Sequence, residues 1–238
     1  NGEGLQHQDG HSHLLASAIP NCVSYDPAYG YELAVIVHNG LERMVANQEN
    51  VFFYVTVMNE NYVQPAMPKG IEADILKGMY KLRSHGKGEV KKVRLLGSGT
   101  ILREVEAAAE DLHEKYGVSS EVYSVTSYTE LAREAQDVVR WNMLHPDEEP
   151  RQSHAATLLE GDAPVIASSD YVKALAEQIR SQIKAPYHVL GTDGFGRSDT
   201  REELRHFFEV DRRFVVLAAL KSLADDQKIS TDVVKKAR

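Results

Sequence analysis

Short β-branched and aromatic runs alternate along this chain with stretches that keep their apolar residues on one helical face. That alternation restricts the fold more than any single residue does. Val51–Val57 reads VFFYVTV, Val93–Leu96 VRLL, Glu121–Val125 EVYSV, Pro164–Ala167 PVIA and His188–Leu190 HVL. Between them lie helical patterns, such as Leu102, Val105, Ala109, Leu112 and Tyr116 on one face, closed by Gly117. Strands that alternate with helices predict an α/β fold, with a mostly parallel sheet covered by helices on both faces.

The first part reads as a partial βαβ unit. Cys22–Tyr25 is strand-like, Asp26 suits an N-cap and Pro27 the first helical position. Leu33, Ile36, Val37, Leu41 and Met44 give that helix one apolar face, and Val51–Val57 follows as a buried strand. Pro65, Pro68, Gly70, Gly78, Gly86 and Gly88 then punctuate a stretch with one short helix, about Glu72 to Tyr80. The predicted organisation is a first unit over 1–61, a linker over 62–89 and a second unit over 90–238. In the second unit Ser127 and Glu130 form a capping box for a helix to Leu144, and a helix spans Tyr171–Ile183. Asp199 and Glu202 suggest another box, and Val215–Leu223 a last apolar helix face.

Composition narrows the partners. The net charge of −8 gives no electrostatic reason to expect nucleic acid or an anionic membrane. The longest apolar run, Phe214–Leu220, is too short to span a bilayer. A single cysteine, Cys22, excludes an internal disulfide and suits a reducing, cytoplasmic compartment. The start at Asn1 inside a polar loop, and the end at Arg238 in a helical pattern, predict a piece of a longer protein.

Few local motifs carry chemistry. Gly97-Ser98-Gly99 follows a strand, but Leu102 stands where a dinucleotide fingerprint needs glycine, and no acid ends the next strand. It reads as a tight turn. Gly194-Phe195-Gly196-Arg197 reads as a packing turn with a surface arginine, and His38, His113 and His206 as surface or satisfied histidines. The opening GEGLQHQDGHSH, Gly2 to His13, is different: it holds His7, His11 and His13, with Glu3 four residues before His7. A cloning tag would not interleave Glu, Gln, Asp and Leu. A zinc site would need convergent ligands that a Gly-rich loop holds poorly. A Glu and a His facing one pocket, poised for proton transfer near neutral pH, fits best.

That stretch belongs to a longer set: IPNCVSYDPAYGYELAVIVHNGLERM, NENYVQPAMP, VTSYTELAREAQDVVRWNMLHP and VLGTDGFGRSDTREELRHFFEVD. Together these resemble the thiamine-diphosphate-dependent pyruvate dehydrogenases of bacterial pyruvate dehydrogenase complexes, the single-chain homodimeric type, within the transketolase superfamily. The resemblance covers essentially the whole chain. It implies that 1–61 is the end of a middle, pyrimidine-binding domain and 90–238 a transketolase-like C-terminal domain. It implies Glu3 and His7 as catalytic residues, with Gln6 and Asp9 in the substrate pocket. It also implies decarboxylation of pyruvate and acetyl transfer to the lipoyl group of a dihydrolipoyl acetyltransferase, within a homodimer. Thiamine diphosphate and Mg²⁺ would belong to the full-length enzyme. Their known anchors have no counterpart here, so this chain alone is expected to hold neither cofactor nor metal tightly and to be inactive. Asn59-Glu60-Asn61 stands where transketolase has an arginine for the sugar phosphate. That argues for a small keto acid, with a transketolase-like sugar enzyme and a non-catalytic assembly module as alternatives.

Overall fold

A computed structural model describes residues 8–238. The chain runs through helix α1 (Ser12–Ser17), strand β1 (Cys22–Tyr25), helix α2 (Gly30–Leu41), strand β2 (Phe52–Val55), helix α3 (Glu72–Lys77) and strand β3 (Met79–His85). Strand β4 (Lys92–Gly97), helix α4 (Leu102–Tyr116), strand β5 (Ser119–Val125), helices α5 (Tyr128–Leu144) and α6 (His154–Leu158) and strand β6 (Val165–Ser168) follow. Helix α7 (Lys173–Glu177), strand β7 (Tyr187–Leu190) and helices α8 (Arg201–Phe207), α9 (Arg212–Asp225) and α10 (Thr231–Ala237) complete the chain.

Among the described residues, β1 and β2 pair in parallel, and the other strands form a five-stranded sheet of order β3-β5-β4-β6-β7. Only β3 runs antiparallel in it. Successive side chains of a strand point to opposite faces, and both faces of this sheet are covered. Leu95, Val122 and Ile166 pack with Val105, Leu112, Ala219 and Leu220 of α4 and α9. Leu96, Tyr123 and Ala167 pack on the other side with Leu131, Leu175 and Ile179. The fold is the expected α/β type, mostly parallel and doubly covered.

Two helix boundaries follow their local signals. Gly117 adopts φ +63 and ends α4, and the Ser127 hydroxyl accepts the Glu130 N–H at 3.0 Å to start α5. Several readings need correction. Asp26 does not cap α2, which begins at Gly30; Glu32 reaches back instead to accept the N–H groups of Ala28 and Tyr29. Of the expected apolar face of α2, Ile36 is buried while Val37, Leu41 and Met44 are exposed. Strand β2 is shorter than the VFFYVTV run and only half-buried, because β1 is its one partner among the described residues. The stretch read as linker contributes β3: Gly78, at φ +106, ends α3 and the chain turns into the edge of the sheet. The helix expected over Tyr171–Ile183 is split into α7 and a 3₁₀ turn at Arg180–Gln182. Thr200, not Asp199, caps α8, accepting from the Glu203 N–H.

The two sheets are joined by buried polar contacts. Glu32, fully buried, accepts from the Tyr80 hydroxyl on β3 and the Ser124 hydroxyl on β5, both at 2.6 Å. Ser127 donates to the Ser24 carbonyl, and the Arg133 guanidinium donates to the carbonyl oxygens of Ser17, Ile19 and Cys22. These contacts fix β1 against the start of α5, so that the C-terminal ends of β1, β2, β4, β6 and β7 open on one crevice.

Candidate functional site

In open α/β sheets the residues just beyond the carboxyl ends of parallel strands face a crevice where the strand order reverses. Here that point lies between β4 and β6, because the chain leaves β4 to one side for β5 and later returns on the other side as β6. A cavity of about 630 Å³ sits there. Asp26 follows β1, Thr56 follows β2, Thr100 follows β4, Asp170 follows β6 and Thr192 follows β7, and all of them line it. Helix α8 adds Arg201 and Arg205, and the segment before α1 adds Gln8, Asp9 and His11.

Glu3, Gln6 and His7 lie outside the described residues. Asp9 is described and lines the cavity, with both carboxylate oxygens engaged. One accepts the N–H groups of His11 and Ser12 at 3.1 and 3.0 Å, and the other accepts the Ser12 hydroxyl. Burial works to raise its pKa, but these hydrogen bonds prevail and hold the carboxyl below its ordinary value. Asp9 therefore organises the first turn of α1. His11 is exposed at the rim. His13 is turned inward at 3% exposure, its Nε2 3.0 Å from the Thr56 hydroxyl. Burial lowers its pKa to about 4, so the ring is neutral at pH 7. No cluster of histidine, cysteine and carboxylate side chains among the described residues can hold a metal ion.

Sequence reasoning missed Asp26, Asp170, Arg201 and Arg205. Asp26 is buried and accepts from the Thr56 hydroxyl at 2.7 Å. Burial, reinforced by the nearby Asp170 and partly offset by Thr56, pushes its pKa up to about 7. Burial raises Asp170 too, against the pull of Arg205. The Gly97-Ser98-Gly99 turn packs against Asp26: a Cβ on Gly99, whose φ is +49, would lie 2.6 Å from a carboxylate oxygen of Asp26. Arg205 binds Glu60 at 2.5 Å and Thr100 at 3.3 Å, and Arg201 donates to Asn59 at 2.5 Å. Glu60 also meets Arg103 at 2.7 Å. Burial would raise the Glu60 carboxyl, but these arginines hold it below its ordinary value. The available sequence signal was position: Asp26 and Asp170 each stand just past a predicted strand. Arg197, by contrast, lies at the surface over the Phe207 ring, as a packing turn requires.

The crevice, the mixed sheet and the helices on both faces define a transketolase-type α/β domain. Solved transketolases share this arrangement. One from Pichia stipitis superimposes with a TM-score of 0.64 at 18% identity, over 94% of this chain and 28% of its own. A split-gene transketolase, described as an inactive beta4 tetramer, superimposes at 0.53 with 19% identity, over 93% of this chain and 63% of its own.

Residues 78–211 match the family described as the transketolase-like C-terminal domain, and residues 1–65 match the pyruvate dehydrogenase E1 component middle domain. The chain belongs to the transketolase-like C-terminal-domain family, in the form found in pyruvate dehydrogenase E1 components. It is 60% identical to the pyruvate dehydrogenase E1 component of Cupriavidus necator over its whole length, and 60% identical to that of Escherichia coli over 99% of it. The Pseudomonas aeruginosa E1 component is 59% identical over the whole chain. The chain spans 27% of the length of each of these relatives.

Proposed function

We propose that this chain is the C-terminal part of the thiamine-dependent component of a bacterial pyruvate dehydrogenase complex. Residues 1–61 then end the middle domain. The five-stranded sheet, which starts as early as Met79, forms the domain that follows. The observation that carries the reading is identity of 60% along the whole chain to E1 components, with both family matches in that order.

Thiamine diphosphate with Mg²⁺, when bound to the full-length enzyme, supplies the carbanion chemistry at pyruvate. The described residues do not suit a diphosphate. Arg201 and Arg205 are engaged by Asn59 and Glu60, Asp26 and Asp170 add carboxyl groups, and no group of histidine, cysteine and carboxylate side chains among the described residues could hold the Mg²⁺. In this reading the cofactor's anchors belong to other segments of the full-length protein, and this chain alone is expected neither to hold the cofactor tightly nor to turn over pyruvate. The role left to this chain is to place proton donors and acceptors on the substrate side. In this reading His7 exchanges a proton with the pyruvate carbonyl oxygen or with the lipoyl sulfur, Glu3 favours the charged imidazole, and Gln6 and Asp9 belong to the substrate pocket.

The partners in this reading are a second copy of the chain and the lipoyl-bearing dihydrolipoyl acetyltransferase, in the cytoplasm. A sugar phosphate is disfavoured because the loop after β2 presents Glu60, already bound to Arg205 and Arg103. In the full-length enzyme, His7→Ala should lower pyruvate turnover by about 10²–10⁴, the usual worth of a positioned acid or base. Thiamine diphosphate affinity should stay nearly unchanged. Near-normal turnover in steady-state assays would remove His7 from the chemistry.

A further inference from the structure

Helix α1 follows His7 with four residues between them, so whatever fixes α1 bears on where the segment with Glu3 and His7 ends. Its C-terminal end is held by Arg133, which reaches from α5 to the carbonyl oxygens of Ser17 and Ile19. Its N-terminal half is held differently. The His13 ring enters the protein between Tyr54 and Tyr171, edge-on to both, with centroids 5.4 and 4.6 Å away. Its Nε2 meets the Thr56 hydroxyl at 3.0 Å, and that hydroxyl meets Asp26 Oδ1 at 2.7 Å.

While the Asp26 carboxyl is ionised it can only accept, so Thr56 donates to it and receives from His13 Nε2–H. Asp26 is itself fixed to the five-stranded sheet at its backbone. Its N–H donates to the Thr126 carbonyl at 2.8 Å, and its carbonyl accepts the Gly99 N–H at 3.1 Å. A continuous polar path thus runs from the ends of β4 and β5 through Asp26, Thr56 and His13 into α1.

We infer that Asp26 and Thr56 are positioning residues for the acid–base segment, holding α1 through His13 so that the residues before it meet the substrate correctly. The inference rests on the proposed role of Glu3 and His7. Neither Asp26 nor Thr56 needs to touch the reacting atoms. A misplacement of about 1 Å can cost on the order of 10²-fold in rate, so a slack α1 is enough to slow turnover.

Thr56→Val in the full-length enzyme is the test, because it keeps the shape of threonine and removes the hydroxyl. Amide hydrogen exchange in the peptide spanning 8–17 should become at least about tenfold faster, as expected for an element that has lost a tether. Exchange in β4 and β6 should stay unchanged, which reports an intact fold. The kcat for pyruvate should fall about tenfold with little change in KM or in thiamine diphosphate affinity. Thr56→Ser, which restores the hydroxyl, should bring exchange and kcat back towards the parent values, whereas Asp26→Ala should reproduce Thr56→Val. Unchanged exchange over 8–17 in Thr56→Val overturns the tether whatever the activity does. Faster exchange with unchanged kcat, while His7→Ala remains impaired, overturns the positioning role and leaves the His7 chemistry standing. If His7→Ala is also unimpaired, the proposed His7 chemistry fails together with the positioning role, and only the tether survives.

Discussion

His13 carries its imidazole inside the protein, where burial depresses its pKa to about 4 and the attraction of Asp9 offsets only part of that. Unfolded, the same ring takes up a proton near pH 6.5. Between those values the unfolded chain binds more protons than the folded one, so stability falls as pH drops from about 6.5 towards 4. Asp26 has the opposite sign. Its raised pKa, about 7, means that the folded state keeps a proton that the unfolded state loses near pH 4. Its burial therefore costs stability as pH rises from about 4 to about 7. Replacing His13 with Gln keeps a donor and removes one of these slopes. In urea unfolding, His13→Gln should gain on the parent by roughly 2 kcal/mol between pH 7.5 and 4.5. Parallel pH curves would show that the buried ring does not titrate as described.

Among the elements, the junction of α3 and β3 is the most exacting. Gly78 sits there at φ +106, its carbonyl accepting from the N–H groups of Thr126 and Ser127, and a Cβ would press into the Ser127 carbonyl oxygen. Gly78→Ala should cost about 3 kcal/mol or more and lower the melting temperature by about 6–12 °C. Gly70, also at positive φ but with open space around it, should tolerate alanine at less than half that cost. A loss at Gly78 no larger than at Gly70, by calorimetry, would mean that the junction gives way easily. The same junction shows what sequence could reveal. Gly117 and Ser127 were legible because a helix end is decided by the residues next to it. Strand β3 was not, because MYKLRSH keeps no regular alternation of polarity and lies at an edge with only its first two residues buried. Asp26 was misread because a cap and a buried carboxyl look alike locally. Thr56, thirty residues on, decides between them. The acidic residue before α1 was legible as part of a polar site, but its engagement with Ser12 and His11 was not.

At the scale of the whole molecule, Val37, Leu41, Met44 and Val45 leave an exposed apolar strip along α2 and the π-helical turn that extends it. Phe52 on β2 is exposed as well. An apolar strip beside a thin sheet is a surface that associates. Sedimentation at micromolar concentration should show a dimer or larger species, and a sharp monomer at 26.6 kDa would contradict it. The overall α/β architecture was readable at this scale, because the alternation of strand and helix is carried by many residues at once.

The parallel strands give the molecule two unequal rims. Apart from the segment before α1, the residues around the cavity come from segments that leave the carboxyl ends of strands, or from the helices those segments lead into. The connection between α5 and α6 lies at the other rim, where Pro146, Asp147, Glu148 and Glu149 are all exposed. Change is therefore partitioned in space. A lineage, or an engineer, can lengthen that connection, or graft a reporter or an affinity handle into it, without disturbing the residues that line the crevice.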